Sequence, residues 1–303
     1  MDPALRAVVE AMPGWSTAGR LEATAIPGGI TNRNFRVDVD GDSFVVRLVG
    51  ADTQLLGIDR QAERAAAEAA ASVGIGPEVV AYFPHLGSLV TRFQEGHPVP
   101  EEAMAEEATL RPVVRALRAF HQWPELPTTF SPFRIVEQYR DTAESRGVVV
   151  PEVVRTLHDR ALDIERALGA FTPRPCHNDL LNANFIRSGD RIFLVDYEYA
   201  GMGDVFFDLA NLSVNHGFED QADAALLEAY FGEVTPGRTA RLKLLRIMSD
   251  FREGMWGVVQ QGLSTLDFDY VDYANRHLDR CRRGGEDRRV PVWLETAATD
   301  RDR

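Results

Sequence analysis

Three oxygen-bearing side chains carry the most telling chemistry in this chain. Asp179 and Asn184 stand five residues apart in Cys176-His177-Asn178-Asp179-Leu180-Leu181-Asn182-Ala183-Asn184-Phe185-Ile186, and Asp196 closes an apolar strand twelve residues after Asn184. A spacing of five lets one loop present a carboxylate and an amide oxygen to the same small volume. The turn Ser188-Gly189-Asp190 then returns the chain, so that Asp196 can join them. Hard oxygen ligands this few suit Mg²⁺ held jointly with phosphate oxygens rather than in an all-protein cage. Phosphoryl transfer needs such a metal together with a carboxylate that orients the acceptor.

Composition removes competing chemistries. The 303 residues carry 33 basic against 46 acidic groups, a net charge of −13, and 45% are hydrophobic. A chain of this length buries a real core. Its charge opposes general affinity for nucleic-acid phosphates or an anionic membrane and favours a neutral or cationic partner. Only one basic residue is a lysine, Lys243, in Arg-Leu-Lys-Leu-Leu, so no Walker A loop exists. Cys176 and Cys281 are far apart, without metal or disulfide spacing. With no signal segment and no long apolar run, a cytoplasmic setting without membrane insertion is expected.

The elements that must position the trio follow from periodicity. A short helix over 4–12 ends at Pro13-Gly14. Phe35, Val37 and Val39 alternate with polar neighbours, Asp40-Gly41 supplies a hairpin turn, and 43–49 forms the return strand. An Ala- and Glu-rich helix over 59–73 ends at Gly74, and a further hairpin joins 79–83 to 88–93. Helical spacing then dominates at 101–122, 151–168, 219–231, 238–261 and 267–283, interrupted by the irregular block 173–204. This predicts an α+β chain in two parts: residues 1–95, an antiparallel sheet with a helix, and residues 96–303, mostly helical, divided at 94–100. The tail from Glu286 is expected to be poorly ordered at its very end.

The motif His177-Asn178-Asp179-x₄-Asn184 with Asp196-Tyr197-Glu198 resembles the choline/ethanolamine kinase and aminoglycoside phosphotransferase superfamily, which has a two-lobe protein kinase-like fold. The likeness covers about residues 20–285. Pro27-Gly28-Gly29-Ile30-Thr31-Asn32 resembles that family's nucleotide loop, Gly74-Ile75-Gly76-Pro77 its link after the lobe helix, and Asp204-x₃-Asp208-Leu209-Ala210-Asn211 its segment after the metal loop. Met255-Trp256-Gly257-Val258-Val259-Gln260 and the stretch 268–274 are similar to choline and ethanolamine kinases in particular.

The resemblance implies a role for each position. Asp179 accepts the substrate hydroxyl proton, Asn184 and Asp196 hold Mg²⁺, and His177 and Asp208 brace the loop. ATP is met by Gly28, Gly29, Thr31 and Asn32, and by backbone of Arg92-Phe93-Gln94 at adenine. The phosphate-gripping strand lysine of kinases is absent before position 243. Arg47, on the second strand of the Asp40-Gly41 hairpin, takes its place, with Glu63 of the following helix as partner. Glu198 reaches a second metal or the acceptor's ammonium. Trp256, Glu253 and Tyr270, with Tyr273, Asp267, Asp269 and Asp272 nearby, make an aromatic and acidic setting that suits a cationic acceptor. Leu181, Glu253 and Asn215 replace the Gln, Trp and acid usual in choline kinases, and all three changes fall on the acceptor side. The reading is a kinase for a small amino alcohol. An antibiotic phosphotransferase and a silent nucleotide-binding module are the alternatives, with the oligomeric state open.

Overall fold

The computed structural model describes residues 1–27, 32–50 and 53–300. Helix α1 (Pro3–Ala11) starts at Asp2, whose carboxylate accepts the Ala4 and Leu5 amide protons. Then come β1 (Leu21–Ile26), β2 (Asn32–Val39) and β3 (Asp42–Val49). Asp40 and Gly41 both adopt positive φ, 49° and 99°, closing the β2–β3 hairpin with Val39 opposite Asp42. Helix α2 (Arg60–Ser72) is capped by Asp59 and followed by β4 (Val79–Phe83) and β5 (Ser88–Arg92). The five strands form one antiparallel sheet in the order β1-β2-β3-β5-β4. Val37, Val46, Leu48 and Val90 of the sheet pack with Leu5, Val8 and Trp15 in a core of their own.

The remainder is mainly helical, as the periodicity predicts. Its elements are β6 (His97–Pro98), α3 (Glu107–His121), α4 (Pro132–Ser145), α5 (Val153–Leu168), β7 (Arg174–Cys176), β8 (Phe185–Ser188), β9 (Arg191–Leu194), β10 (Gly201–Gly203), α6 (Val205–Asn215), α7 (Asp220–Phe231), α8 (Pro236–Leu263), α9 (Tyr270–Gly285) and α10 (Val290–Thr299). The irregular block resolves into two small antiparallel pieces, β6-β8-β9 and β7-β10. We propose the lobe boundary at 94–100. The smaller core lies wholly before it, whereas the larger one also takes in Ala66, Ala67, Ala69 and Ala70 of α2, which therefore ties the two parts together.

Three helices depart from the sequence expectation. α4 carries Ile135, Val136, Tyr139 and Ala143 on one buried face, and Ser131 and Pro132 start it. α6 is buried on nearly every side along most of its length, its polar Asp208, Asn211 and Ser213 included, so it shows no amphipathic stripe to find. α10 is a helix that the charged tail does not announce: Val290 and Ala297 are buried, and the helix packs on α5 and α8, while the very end, 301–303, lies outside the described residues. The helix expected from 101 begins at Glu107, after a single 3₁₀ turn at Glu101–Ala103. The lone lysine is structural: the buried Lys243 ammonium donates to Asp223 at 2.6 Å and to Asp220. Both cysteines are free and buried, and no helix among the described residues is long and apolar enough to cross a membrane.

Gly96 sits where the sheet hands over to β6, at φ 146°, and a Cβ there would collide with the backbone carbonyl of Arg187 in β8. Backbone cannot swing aside as a side chain can. Gly96→Ala is therefore expected to lower stability by about 1–3 kcal/mol, read as a lower urea midpoint at unchanged slope. An unchanged midpoint would show that the β6–β8 pairing yields to the added methyl.

Candidate active site

The loop that follows β7 is shaped before it is functional. Asn178 lies at φ 65° and Asp196 at φ 67°, left-handed values uncommon for non-glycine residues. The Asn178 side chain holds its turn by donating to the carbonyls of Cys176 (3.3 Å) and Tyr199 (3.0 Å). Asp208, near the start of α6 and fully buried, accepts the backbone N–H groups of His177 (2.8 Å) and Asn178 (2.7 Å). The His121 ring nitrogen Nε2 lies 2.9 Å from the same carboxylate. Because a carboxylate accepts, this nitrogen carries the proton, leaving Nδ1 to accept from the Tyr230 hydroxyl at 2.6 Å. His177 itself is buried, its Nε2 3.0 Å from the Val195 carbonyl, and burial lowers its pKa. Further on, the Leu180 amide donates to Asn211, whose own amide reaches Ser249 of α8.

These ties bring Asp179, Asn184 and Asp196 to one cleft. The Asn184 amide nitrogen donates to the Asp179 carbonyl at 2.8 Å, and the Val195 N–H donates to the Asn184 carbonyl at 3.1 Å. The two segments are thereby locked side by side. The Asp196 side chain is 32% exposed and its Oδ1 lies 3.3 Å from Arg47 Nη1. Arg47 on β3 is buried and ion-paired with Glu63 of α2. Glu63 is shared with Arg60, also of α2, at 2.8 Å.

Arg60 is a residue that sequence reasoning missed. It bridges Glu63, Glu198 (3.3 Å) and the Asn32 side-chain oxygen (3.3 Å), while the Asn32 amide donates to Glu198 at 2.8 Å. Asn32, expected at the phosphates, is thus committed to a clasp between the sheet and the segment after β9. Glu198 lines the cleft, with one carboxylate oxygen held by that clasp. Burial and the neighbouring Asp196 raise its pKa, opposed by Arg60.

A further wall of the cleft is built by α8 and α9. Arg252 and Glu253, both buried, form an ion pair in the cleft wall. The Arg252 guanidinium also lies 3.6 Å from Asp179 and stacks on the Tyr199 ring at 4.3 Å. Glu253 additionally accepts the Tyr273 hydroxyl proton at 2.8 Å. Its pKa is lowered: burial opposes ionisation, and Arg252 overrides it. Asp179 goes the other way. Burial pushes its carboxyl well up, Arg252 pulls it down, and Glu253, Asp196 and Glu198 add to the rise. Glu253 has first claim on the guanidinium, and Asp179 receives what remains. Trp256 completes the wall, its indole N–H donating to the Tyr199 hydroxyl at 3.0 Å.

Other expected positions fall elsewhere. Tyr270 is buried behind Trp256 and bonded to Ser264, so Tyr273, not Tyr270, faces the cleft. Asp267, Asp269 and Asp272 are exposed: Asp269 caps α9 and Asp272 pairs with Arg276. Arg92 pairs with Asp42 (3.0 Å), and its backbone N–H is taken by Glu78, as that of Phe93 is by Ser43. Neither N–H is free for adenine. The Gln94 side chain folds back onto the Glu95 carbonyl. Gly28, Gly29 and Thr31 lie outside the described residues.

The phosphotransferase enzyme family matches residues 22–244. Protein LicA of Haemophilus influenzae is 27% identical over 263 residues, covering 83% of this chain and 76% of the relative. Ethanolamine kinase 1 of Mus musculus is 25% identical over 291 residues, covering 81% and 79%. The crystal structure of a choline/ethanolamine kinase family protein from Mesorhizobium loti matches with a TM-score of 0.83 at 29% identity over 98% of both chains. A LicA structure in complex with AMP shares the fold, with a TM-score of 0.72 at 22% identity over 92% of this chain and 98% of that one.

Proposed function

The chain belongs to the phosphotransferase enzyme family and is a small-molecule kinase, and from that premise we propose that it moves the γ-phosphate of ATP to the hydroxyl of a small amino alcohol of the choline or ethanolamine type, using Mg²⁺. The observation that carries this reading is the meeting of Asp179, Asn184 and Asp196 at a cleft of about 110 Å³ walled by Trp256, Tyr273 and Glu253. Pockets that hold drug-sized ligands measure roughly 300–1,000 Å³, so a cleft this small favours a small acceptor over an aminoglycoside. An ionised Glu253 between aromatic rings suits a cation. The relatives' names, LicA and ethanolamine kinase, and the AMP held by one of them, support the same assignment.

Each residue has a task under this reading. The Asp179 carboxylate accepts the proton of the attacking hydroxyl and aims its oxygen. Arg47, fixed by Glu63, meets the nucleotide phosphates, its permanent charge standing where kinases place lysine. For the metal, the donor set fits: the Asn184 nitrogen is spent on the Asp179 carbonyl, which leaves its oxygen for a hard cation, and Asp196 is a part-exposed carboxylate. Mg²⁺ bound there would neutralise charge on the phosphate oxygens. The burial of His177, bonded to backbone, supports its bracing role beside Asp208.

The test is a coupled ADP-release assay with ethanolamine, choline, other amino alcohols and aminoglycosides as acceptors, with and without Mg²⁺. Turnover with an amino alcohol that stops on chelation is expected. Turnover with aminoglycosides alone would overturn the acceptor assignment, and no acceptor-dependent ADP release would overturn the catalytic one.

A further inference from the structure

A second hollow, of about 710 Å³, opens at the other end of β7, where Arg174 stands. Its walls are the last turn of α3 with Arg118, the end of α7 with Tyr230, and the first turns of α6 and α8 with Phe206, Arg238 and Arg241. Two of the four arginines are neutralised: Arg238 pairs with Glu233 at 3.0 Å and Arg241 with Asp204 at 3.2 Å. Arg118 and Arg174 are exposed and have no ion pair among the described residues. On a chain of net charge −13, two uncompensated guanidiniums in one hollow run against the whole molecule. Arg241 is 1% exposed, and its Nε, buried in this wall, has no hydrogen-bond partner. The N-terminal turns of α6 and α8 add their positive ends at the same place.

We propose that this hollow binds a phosphomonoester dianion, held between Arg118 and Arg174 with the Tyr230 hydroxyl as a further donor, and that its occupancy is felt at the catalytic loop. Guanidinium forks match phosphate oxygens two at a time, and two free positive charges call for a ligand of two negative ones. The volume admits a small phosphorylated metabolite rather than a bare ion alone. Tyr230 is the link. Its hydroxyl bonds His121 at 2.6 Å, His121 bonds Asp208 at 2.9 Å, and Asp208 holds the His177 and Asn178 amides. A dianion that draws the hydroxyl proton toward itself takes that donor from His121 and loosens the chain of bonds that sets the loop, so bound phosphomonoester slows turnover.

Calorimetric titration of the full chain, its nucleotide cleft filled with a non-hydrolysable ATP analogue, separates this site from the catalytic one. Inorganic phosphate and phosphoethanolamine are the probes. The wild type is expected to bind at least one of them, and Arg118→Ala/Arg174→Ala at least tenfold more weakly, with nucleotide affinity and basal turnover unchanged. Tighter binding of phosphoethanolamine than of phosphate assigns an organic ester as the ligand, and equal binding assigns the phosphate group alone. Tyr230→Phe is expected to bind the probe while its kcat no longer responds. Absence of binding to wild type, equal binding to the double variant, or an undiminished kcat response in Tyr230→Phe would each overturn the proposal. The binding arm needs no turnover, so it stands apart from the choice of acceptor.

Discussion

Replacing Asp179 by asparagine is expected to lower kcat by roughly 10²–10⁴-fold, the usual contribution of a positioned general base, while nucleotide affinity stays within a factor of a few. The amide keeps the shape of the side chain and its place beside Asn184 and Arg252. What it loses is the ability to take the acceptor's proton. Arg47 and Glu63, which meet the nucleotide in our reading, do not touch Asp179. Nucleotide binding by titration and ADP release by coupled assay therefore separate the two. A variant with kcat within tenfold of wild type would remove Asp179 from the role of base.

The same substitution has a second, opposite consequence for stability. Burial raises the Asp179 pKa well above its ordinary 3.8, with Arg252 only partly offsetting it. A carboxyl whose pKa is raised on folding binds its proton more tightly in the native state. Its favourable contribution is present below the ordinary value and is lost as pH rises through the raised one. Above the ordinary value the unfolded carboxyl ionises freely, whereas the folded one ionises only against its desolvation, a cost the amide never meets. Asp179→Asn is expected to melt higher than wild type near pH 7, the difference closing toward pH 4. A lower melting temperature at neutral pH would show that Arg252 needs the Asp179 charge more than the site suffers from it. A site strained by its own catalytic group is a common cost of activity.

How much of this could be read from the chain depends on the kind of signal each residue leaves. The trio Asp179, Asn184 and Asp196 was legible because it combines fixed spacing with a turn and an apolar strand, and the structure brings the three together. The Arg47–Glu63 pair was legible through the resemblance to kinase-like enzymes, whose strand lysine has no counterpart before position 243. Arg252 and Arg60 were not. An arginine on a helix usually reads as a solvated charge, and only the packing of α8 against α4, α6 and α9 turns the Arg252 face inward. Tyr270 and Tyr273 show the limit of helical spacing: three residues apart, both rings touch Trp256, yet only Tyr273 reaches the cleft. Asn32 was placed at the site by its resemblance to the nucleotide loop; it does line the cleft, but its side-chain bonds to Glu198 and Arg60, neither near it in sequence, were not legible. α6 escaped because a helix buried on every side has no stripe, and α10 because a charged tail hides two buried contacts.

Arg252→Met is expected to destabilise the protein by about 3–5 kcal/mol, the usual effect of removing one partner from a buried ion pair. The guanidinium is 1% exposed and is shared by Glu253, Asp179 and the Tyr199 face. Without it, the buried Glu253 and the largely buried Asp179 face the same space with no cation between them. Removing both members is different. Arg252→Met/Glu253→Leu exchanges the pair for apolar volume, leaving the Tyr273 hydroxyl without its acceptor and Asp179 without the guanidinium 3.6 Å away, so it is expected to recover part of the lost stability in urea unfolding. If the double variant were as unstable as the single one, the pair would not be the reason for the loss. The activity of the refolded double variant then tells what the pair is for. A carboxylate fixed between Trp256 and Tyr273 and a guanidinium beside Asp179 set the charge of the acceptor wall, so the Michaelis constant for a cationic acceptor should rise and kcat should fall together while the nucleotide constant holds. A double variant that is stable and turns over as fast as wild type would make Arg252 and Glu253 ballast of the fold. The acceptor would then be recognised by the aromatic rings and Asp179 alone.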